Sequence, residues 1–267
     1  MSQVNSKELI QRALPELQLT QFGTKSPAWH SIKFQGRLVQ WPNFRQHVSQ
    51  RYRSENWAGT ALSYKTRVKY TTDANLESEN FRVGDEHGVQ GRMAHGIGHH
   101  LNAIFTTQKV DLMLADFKCS AMATAYSKVP DMALITRTGS LKAVGELKTP
   151  WIESHDLGKL ELETDFLPTE FGQVASYMYD IKTNYAFLST YNYTIFLRSI
   201  YTNGQWELQY SPSIHFTSSW GNSTPTLSVS VRQCFYHWAL LAGAVPLHAL
   251  TMSDHMSRED WADTVTA

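Results

Sequence analysis

A chain of 267 residues, 42% hydrophobic and 12% aromatic, is long enough for one large domain or two small ones and can bury a sizeable core. Its 24 Lys and Arg offset its 24 Asp and Glu, which excludes a global field drawing it to nucleic acid or membrane; any polyanion site must be a local patch. Only two cysteines, Cys119 and Cys234, argue against a disulfide framework and for a reduced intracellular setting, nuclear or cytoplasmic. The opening MSQVNSKELIQRAL lacks the basic-then-apolar order of a secretory signal. The most apolar stretch, WALLAGAVPLHAL, is broken by Pro246 and His248, so no membrane span is expected.

Residues 1–80 are expected to form an N-terminal extension packed on the core, with a short helix around Lys7 to Ala13. The segments FRQHVSQRYR and YKTRVKY then interleave bases with aromatics. Arg51, Arg53, Lys65, Arg67 and Lys69 could track a nucleic-acid backbone while the rings stack on bases, or the segments could be ordinary amphipathic elements. The core is expected over residues 81–252. From Asp85, a plausible N-cap, apolar residues recur at Val89, Met93, Ile97, Leu101 and Ile104, spacings of three and four that predict a long amphipathic helix loosened by glycines.

VPDMALITRTGSLKAVGELK holds two alternating runs around Thr138-Gly139, the pattern of a β-hairpin. A two-residue loop sets Arg137 opposite Ser140 and, counting back, Asp131 opposite Glu146. A three-residue loop shifts the pairing by one and leaves Asp131 diagonal to Glu146. Glu146 and Lys148 share a face in either case, since strand residues two apart point the same way. The segment EFGQVASYMYDIK predicts a helix with a core stripe of Phe171, Val174, Met178 and Ile181, and Gln173 and Tyr177 together on another face. YAFLSTYNYTIFLR supplies two strands, IYTNGQWELQY a hairpin on an Asn-Gly turn, and VRQCFYHWALLAG a closing helix; the tail of residues 253–267 is polar and expected to be loose. The order predicts a mixed α/β sheet with helices packed on it.

Two adjacent carboxylates repel unless one takes a proton or a divalent cation binds both. Carboxylate oxygens with water suit Mg²⁺ or Mn²⁺, and Mg²⁺ usually takes one or two protein carboxylates and leaves room for substrate phosphate. Asp131 and Glu146 therefore suggest a metal working on a phosphate ester, with Lys148 orienting or deprotonating the attacking water.

Proline-aspartate, then GELK after a hairpin-length gap, then a helix carrying QVASY resembles the PD-(D/E)XK nuclease superfamily, whose fold is restriction-endonuclease-like. VPDMAL, AVGELKTPW, GQVASYMYD and YAFLSTYNYTIFLR are similar, more narrowly, to a fungal group of that superfamily. The likeness covers roughly residues 85–198. It implies Asp131, Glu146 and the backbone carbonyl of Leu147 as metal ligands, Lys148 as the catalytic lysine, and Gln173 as the helix glutamine that positions lysine, water or substrate, with Tyr177 its companion. The superfamily's first motif is a Glu on the preceding helix; Glu86 matches it, with Gln90 on the same face.

The leading expectation is a Mg²⁺- or Mn²⁺-dependent nuclease hydrolysing phosphodiester bonds, DNA ahead of RNA, with a homodimer as the default oligomer. The alternative is a catalytically inert nuclease-like fold that binds nucleic acid or protein. A zinc site on His95, His99 and His100 is disfavoured, because the residue after the first His is Gly96 rather than the Glu a metalloprotease needs. Neither cysteine lies in a nucleophile motif, and both are expected to be small buried residues.

Overall fold

A computed structural model describes residues 4–21, 23–25, 31–62, 81–161, 167–221, 227–246 and 249–264. In chain order the strands are β1 (Val4–Asn5), β2 (Gln18–Leu19), β3 (Ile32–Phe34), β4 (Arg37–Gln40), β5 (Ala61–Leu62), β6 (Arg82–Val83) and β7 (Met113–Ala115). After them come β8 (Met132–Ile135), β9 (Leu141–Leu147), β10 (Tyr185–Ser189), β11 (Tyr193–Thr202), β12 (Gln205–Tyr210), β13 (Ile214–His215) and β14 (Ala262–Thr264). The helices are α1 (Ser6–Gln11), α2 (Phe44–Ser54), α3 (Glu86–Met93), α4 (His100–Thr107), α5 (Leu167–Asp180), α6 (Val231–Gly243) and α7 (Arg258–Trp261).

The large sheet is mixed, in the order β4-β12-β11-β10-β9-β8-β7, with β13 paired to β11. Its β9–β10 and β12–β4 pairs are parallel and the rest antiparallel. Helix α5 crosses from β9 to β10, as a parallel connection requires. Alternation along each strand divides the core. Val144, Ala186, Leu188, Ile195 and Leu197 face α5, whereas Ala143, Leu147, Phe187 and Phe196 face the layer of α2, α3, α4 and α6. No described helix is long and apolar enough to cross a membrane.

The expected long helix is present as α3, one π-helical stretch (Ala94–His99) and α4 in unbroken right-handed backbone. Asp85 caps it by accepting from the Gly88 N–H at 2.8 Å, and Val89, Met93, Ile97, Leu101 and Ile104 are fully buried. Asn203 and Gly204 both take positive φ in the β11–β12 turn, as an Asn-Gly hairpin demands. Phe171, Val174 and Met178 form the buried stripe of α5, continued by Ile181 just past its end.

Three expectations are corrected. Residues 1–80 are more than an extension laid on the core, since β4 is a strand of the large sheet and α2 packs on α6. The tail is not loose as far as it is described: β14 pairs with β3, and Trp261 is fully buried, its indole N–H donating to the Ala175 carbonyl at 3.0 Å. One large apolar ring in a polar segment is enough to dock it. Cys119 is exposed and only Cys234 is buried.

Candidate active site

The hairpin that carries the site has three residues in its loop, not two. The Thr136 N–H donates to the Ser140 carbonyl at 2.9 Å, and Gly139 turns the chain at φ +86°, a conformation that favours glycine. Ile135 consequently pairs with Leu141, one step out of the register that would bring Asp131 to Glu146. A bulge restores it: Leu134 pairs with Ala143, leaving Lys142 as the extra residue, and Met132 pairs with Gly145. Continued by one residue, that register sets Asp131 opposite Glu146. Two departures from the simple count cancel.

Asp131 lies just outside β8, and its carboxylate completes the ladder by accepting from the Leu147 N–H at 2.7 Å. A strand residue's N–H and C=O leave on the same side, so the Leu147 carbonyl lies on the Asp131 side as well. The next residue turns the other way, and the Lys148 N–H donates to Ser189 of β10. Gln90 of α3 donates to the Asp131 carbonyl at 2.6 Å, which fixes the start of β8 against the long helix.

Lys148 Nζ is the centre of the cluster, 2.7 Å from Glu146 Oε1 and 3.0 Å from Gln173 Oε1. The Gln173 amide nitrogen in turn donates to the Tyr177 hydroxyl at 2.7 Å. This chain fixes the Gln173 amide, because its oxygen must face the ammonium and its nitrogen the phenol. The structure thus joins Asp131, Glu146, Lys148, Gln173, Tyr177 and Gln90. Glu86, the first residue of α3, acts on them through its charge and makes no described hydrogen bond to them.

Electrostatics shows the tension of the site. Burial, and then the nearby Asp131 charge, push the Glu146 carboxyl up to about 8, against the pull of Lys148. Burial and the Glu86 charge likewise raise Asp131 to about 6, although the Leu147 N–H opposes this. Burial opposes the Lys148 ammonium, but Glu146, Glu86 and Asp131 outweigh it and hold the lysine above its usual range. A raised Glu146 favours a proton and a charged Lys148 favours the carboxylate; burial and the Asp131 charge outweigh the lysine, so the carboxyl stays raised while the ammonium donates to its Oε1 at 2.7 Å.

The donor set fits a hard divalent cation: two crowded carboxylates, both disfavoured as anions, with a carbonyl on the same side. Asp131, Glu146 and the Leu147 carbonyl would hold Mg²⁺ or Mn²⁺. Among the described residues no three His, Cys, Asp or Glu side chains assemble a fuller metal cage. The His95 and His99 rings stack at 6.0 Å, and His100 is kept neutral mainly by burial, pushed down to about 4.

Two neighbours of the cluster belong to none of the sequence motifs. Glu170 is raised to about 7 by burial, with Lys148 the one opposing charge. It precedes Gln173 by three residues and Tyr177 by seven, so helical spacing places all three on one face of α5. His155, buried, has Nδ1 3.3 Å from both the hydroxyl and the carbonyl of Thr149, one residue beyond Lys148. Nothing local in ESHDLG distinguishes it from a solvated loop. Trp151 ties the N-terminal segment to the end of β9, its indole N–H donating to the Thr24 carbonyl at 2.8 Å.

The basic segments do not gather at this site. Arg51 lines a cleft on the opposite face of the sheet, and Arg53, two residues on, lies over the Trp220 ring at 5.4 Å. Residues two apart on a helix do not share a face. Lys65, Arg67 and Lys69 lie outside the described residues. Comparison of the chain with protein-family models, curated proteins and solved structures finds no match.

Proposed function

We propose that the chain is a metal-dependent nuclease of restriction-endonuclease-like fold that hydrolyses phosphodiester bonds in nucleic acid, DNA ahead of RNA. The observation that carries this reading is the Lys148 ammonium held at once by Glu146 and Gln173, one strand from Asp131. A bound Mg²⁺ or Mn²⁺ would supply Lewis acidity and a water of lowered pKa. The chain's own groups do the rest. Lys148 presents its one remaining N–H donor toward a water or a phosphoryl oxygen, and its charge answers the negative charge that grows there. Gln173, locked by Tyr177, keeps that ammonium from swinging away, and Glu86 adds the negative field that keeps it protonated.

One observation favours a second reading. Glu146 and Lys148 are only 3% and 4% exposed, and a closed ion pair of this kind also suits an inert fold that binds without turnover. Purified protein incubated with single- and double-stranded DNA and RNA, in Mg²⁺, Mn²⁺ or EDTA, separates the two. Cleavage that EDTA, Asp131→Ala and Lys148→Ala each abolish is the expected result; binding without cleavage on every substrate supports the inert module.

A further inference from the structure

On the face of the sheet away from α5, helices α2 and α6 leave a cleft of about 370 Å³ whose lining includes Trp41, His47, Arg51, Arg198, His237 and Leu241. Among the described residues no carboxylate lines it, although acidic and basic residues balance over the chain. The bias toward positive charge is therefore local.

Arg198 is half-buried in β11, and its guanidinium lies 4.1 Å from the centroid of the Trp41 ring. Its Nε and Nη2 both donate to Gln209 Oε1, at 3.0 and 2.8 Å, and Tyr185 is a further partner. Those groups are neutral, so among the described residues no carboxylate answers its charge. Stacking on Trp41 fixes the plane of the fork while leaving its charge available. Arg51, exposed on α2, adds a second guanidinium.

His237 of α6 is the second, independent sign. It is 6% exposed and lines the cleft, yet neither ring nitrogen has a hydrogen-bond partner among the described residues. Buried polar side-chain atoms nearly always find one. Burial first, then the charges of Arg51, His47 and Arg198, keep this ring neutral, pushed down to about 4. An anion in the cleft would accept from its N–H and offset the cations that repel a ring proton.

We propose that this cleft binds a phosphate group, with Arg198 and Arg51 supplying charge and His237 a buried donor. Guanidinium forks match the paired oxygens of phosphate. The volume falls within the roughly 300–1,000 Å³ usual for ligand pockets, which leaves room for the group that carries the phosphate. That carrier is a small phosphate ester or a nucleic-acid backbone. The site is separate from Lys148: β10 Leu188 pairs with Glu146 and with Ile195, whereas Arg198 pairs with Tyr185, three residues toward the other end of the sheet and on its other face. It does not depend on the nuclease reading.

The test is calorimetric titration of the full chain, at constant ionic strength, with inorganic phosphate, adenosine monophosphate and a single-stranded oligonucleotide lacking terminal phosphates. Saturable binding is expected, weakened about tenfold or more by Arg51→Gln and by Arg198→Lys and left unchanged by Lys118→Gln, an exposed lysine outside the cleft. The His237 ring nitrogen resonances should shift on saturation. Binding of the two small probes alone assigns a small ester; oligonucleotide binding that phosphate displaces assigns the backbone. No saturable binding of any probe overturns the proposal, as does binding that Lys118→Gln weakens as much as the arginine variants do. Arg51→Gln, exposed on its helix, keeps the test open if the Arg198 variant fails to fold; binding that it leaves unchanged also overturns the proposal.

Discussion

At the residue scale, the behaviour of the site rests on how Asp131, Glu146 and Lys148 share charge. Both carboxyls have folded-state pKa values raised above their usual ones, to about 6 and about 8. A raised group contributes stability that is complete below its unfolded pKa and lost as pH rises through the folded one. Without divalent metal the protein should therefore lose stability from about pH 4 to pH 8 on their account, while the raised Lys148 acts only at the alkaline end. Asp131→Asn removes one titration and the charge that pushes Glu146 up, so it should flatten this slope in urea denaturation. Mg²⁺ should raise the wild-type melting temperature more at pH 8 than at pH 5, and Asp131→Asn should not show this gain. An identical slope in variant and wild type would contradict the reading.

Lys148→Met tests the same pair from the other side. It leaves Glu146 buried beside Asp131 with its ion-pair partner gone, at a cost of about 3 kcal/mol for breaking a buried pair. The loss should be largest near pH 8 and shrink toward pH 5, where Glu146 takes up a proton. Denaturation at the two pH values measures it; equal loss at both would mean that Glu146 is not the group left stranded. Much of this cluster was legible in the sequence, because residues two apart on a strand and four apart on a helix must share faces. Glu170 obeys the same helical spacing, but a lone carboxylate on a helix face looks like any solvated one, and His155 lies in a loop where no periodicity points.

At the element scale, the site depends on strand register and on how closely α5 approaches its neighbours. The sequence left Asp131 either opposite or diagonal to Glu146, and what decides between them was hidden: a three-residue loop and a bulge at Lys142 offset one another, and hydrophobic alternation does not encode a bulge. The contact of α5 with β3 was also hidden, since it joins residues far apart in the chain. A Cβ on Gly172 would overlap the Ile32 carbonyl oxygen, and backbone cannot step aside as a flexible side chain does. Gly172→Ala should therefore cost about 2 kcal/mol or more, as overpacking does, and should displace Gln173 next to it. Chemical denaturation checks the first effect and the cleavage rate the second. An alanine variant with wild-type stability would show that α5 has room to move.

At the scale of the whole molecule, the first and last described segments both pack on the core. Composition and the order of elements indicated a mixed sheet flanked by helices, and the structure has one. They did not indicate that β4 would extend the sheet or that β14 would pair with β3, because three- and four-residue strands carry too short a pattern to read. Ending the chain after Met256 would remove Trp261 from beneath α5 and should cost about 3–5 kcal/mol, the range for deleting a buried aromatic ring. A truncated protein with an unchanged denaturation midpoint would mean that the tail merely rests on the surface. In the proposed function one constellation, Asp131, Glu146, Lys148 and Gln173, hydrolyses a phosphodiester. Its most direct test is the single-turnover cleavage rate of an end-labelled DNA in Mg²⁺ by wild type and by Lys148→Met, with folding of both verified. Metal-dependent cleavage is expected, falling by about 10²-fold or more in the variant. Equal rates for the two proteins, or no cleavage by the wild type in either Mg²⁺ or Mn²⁺, would contradict it.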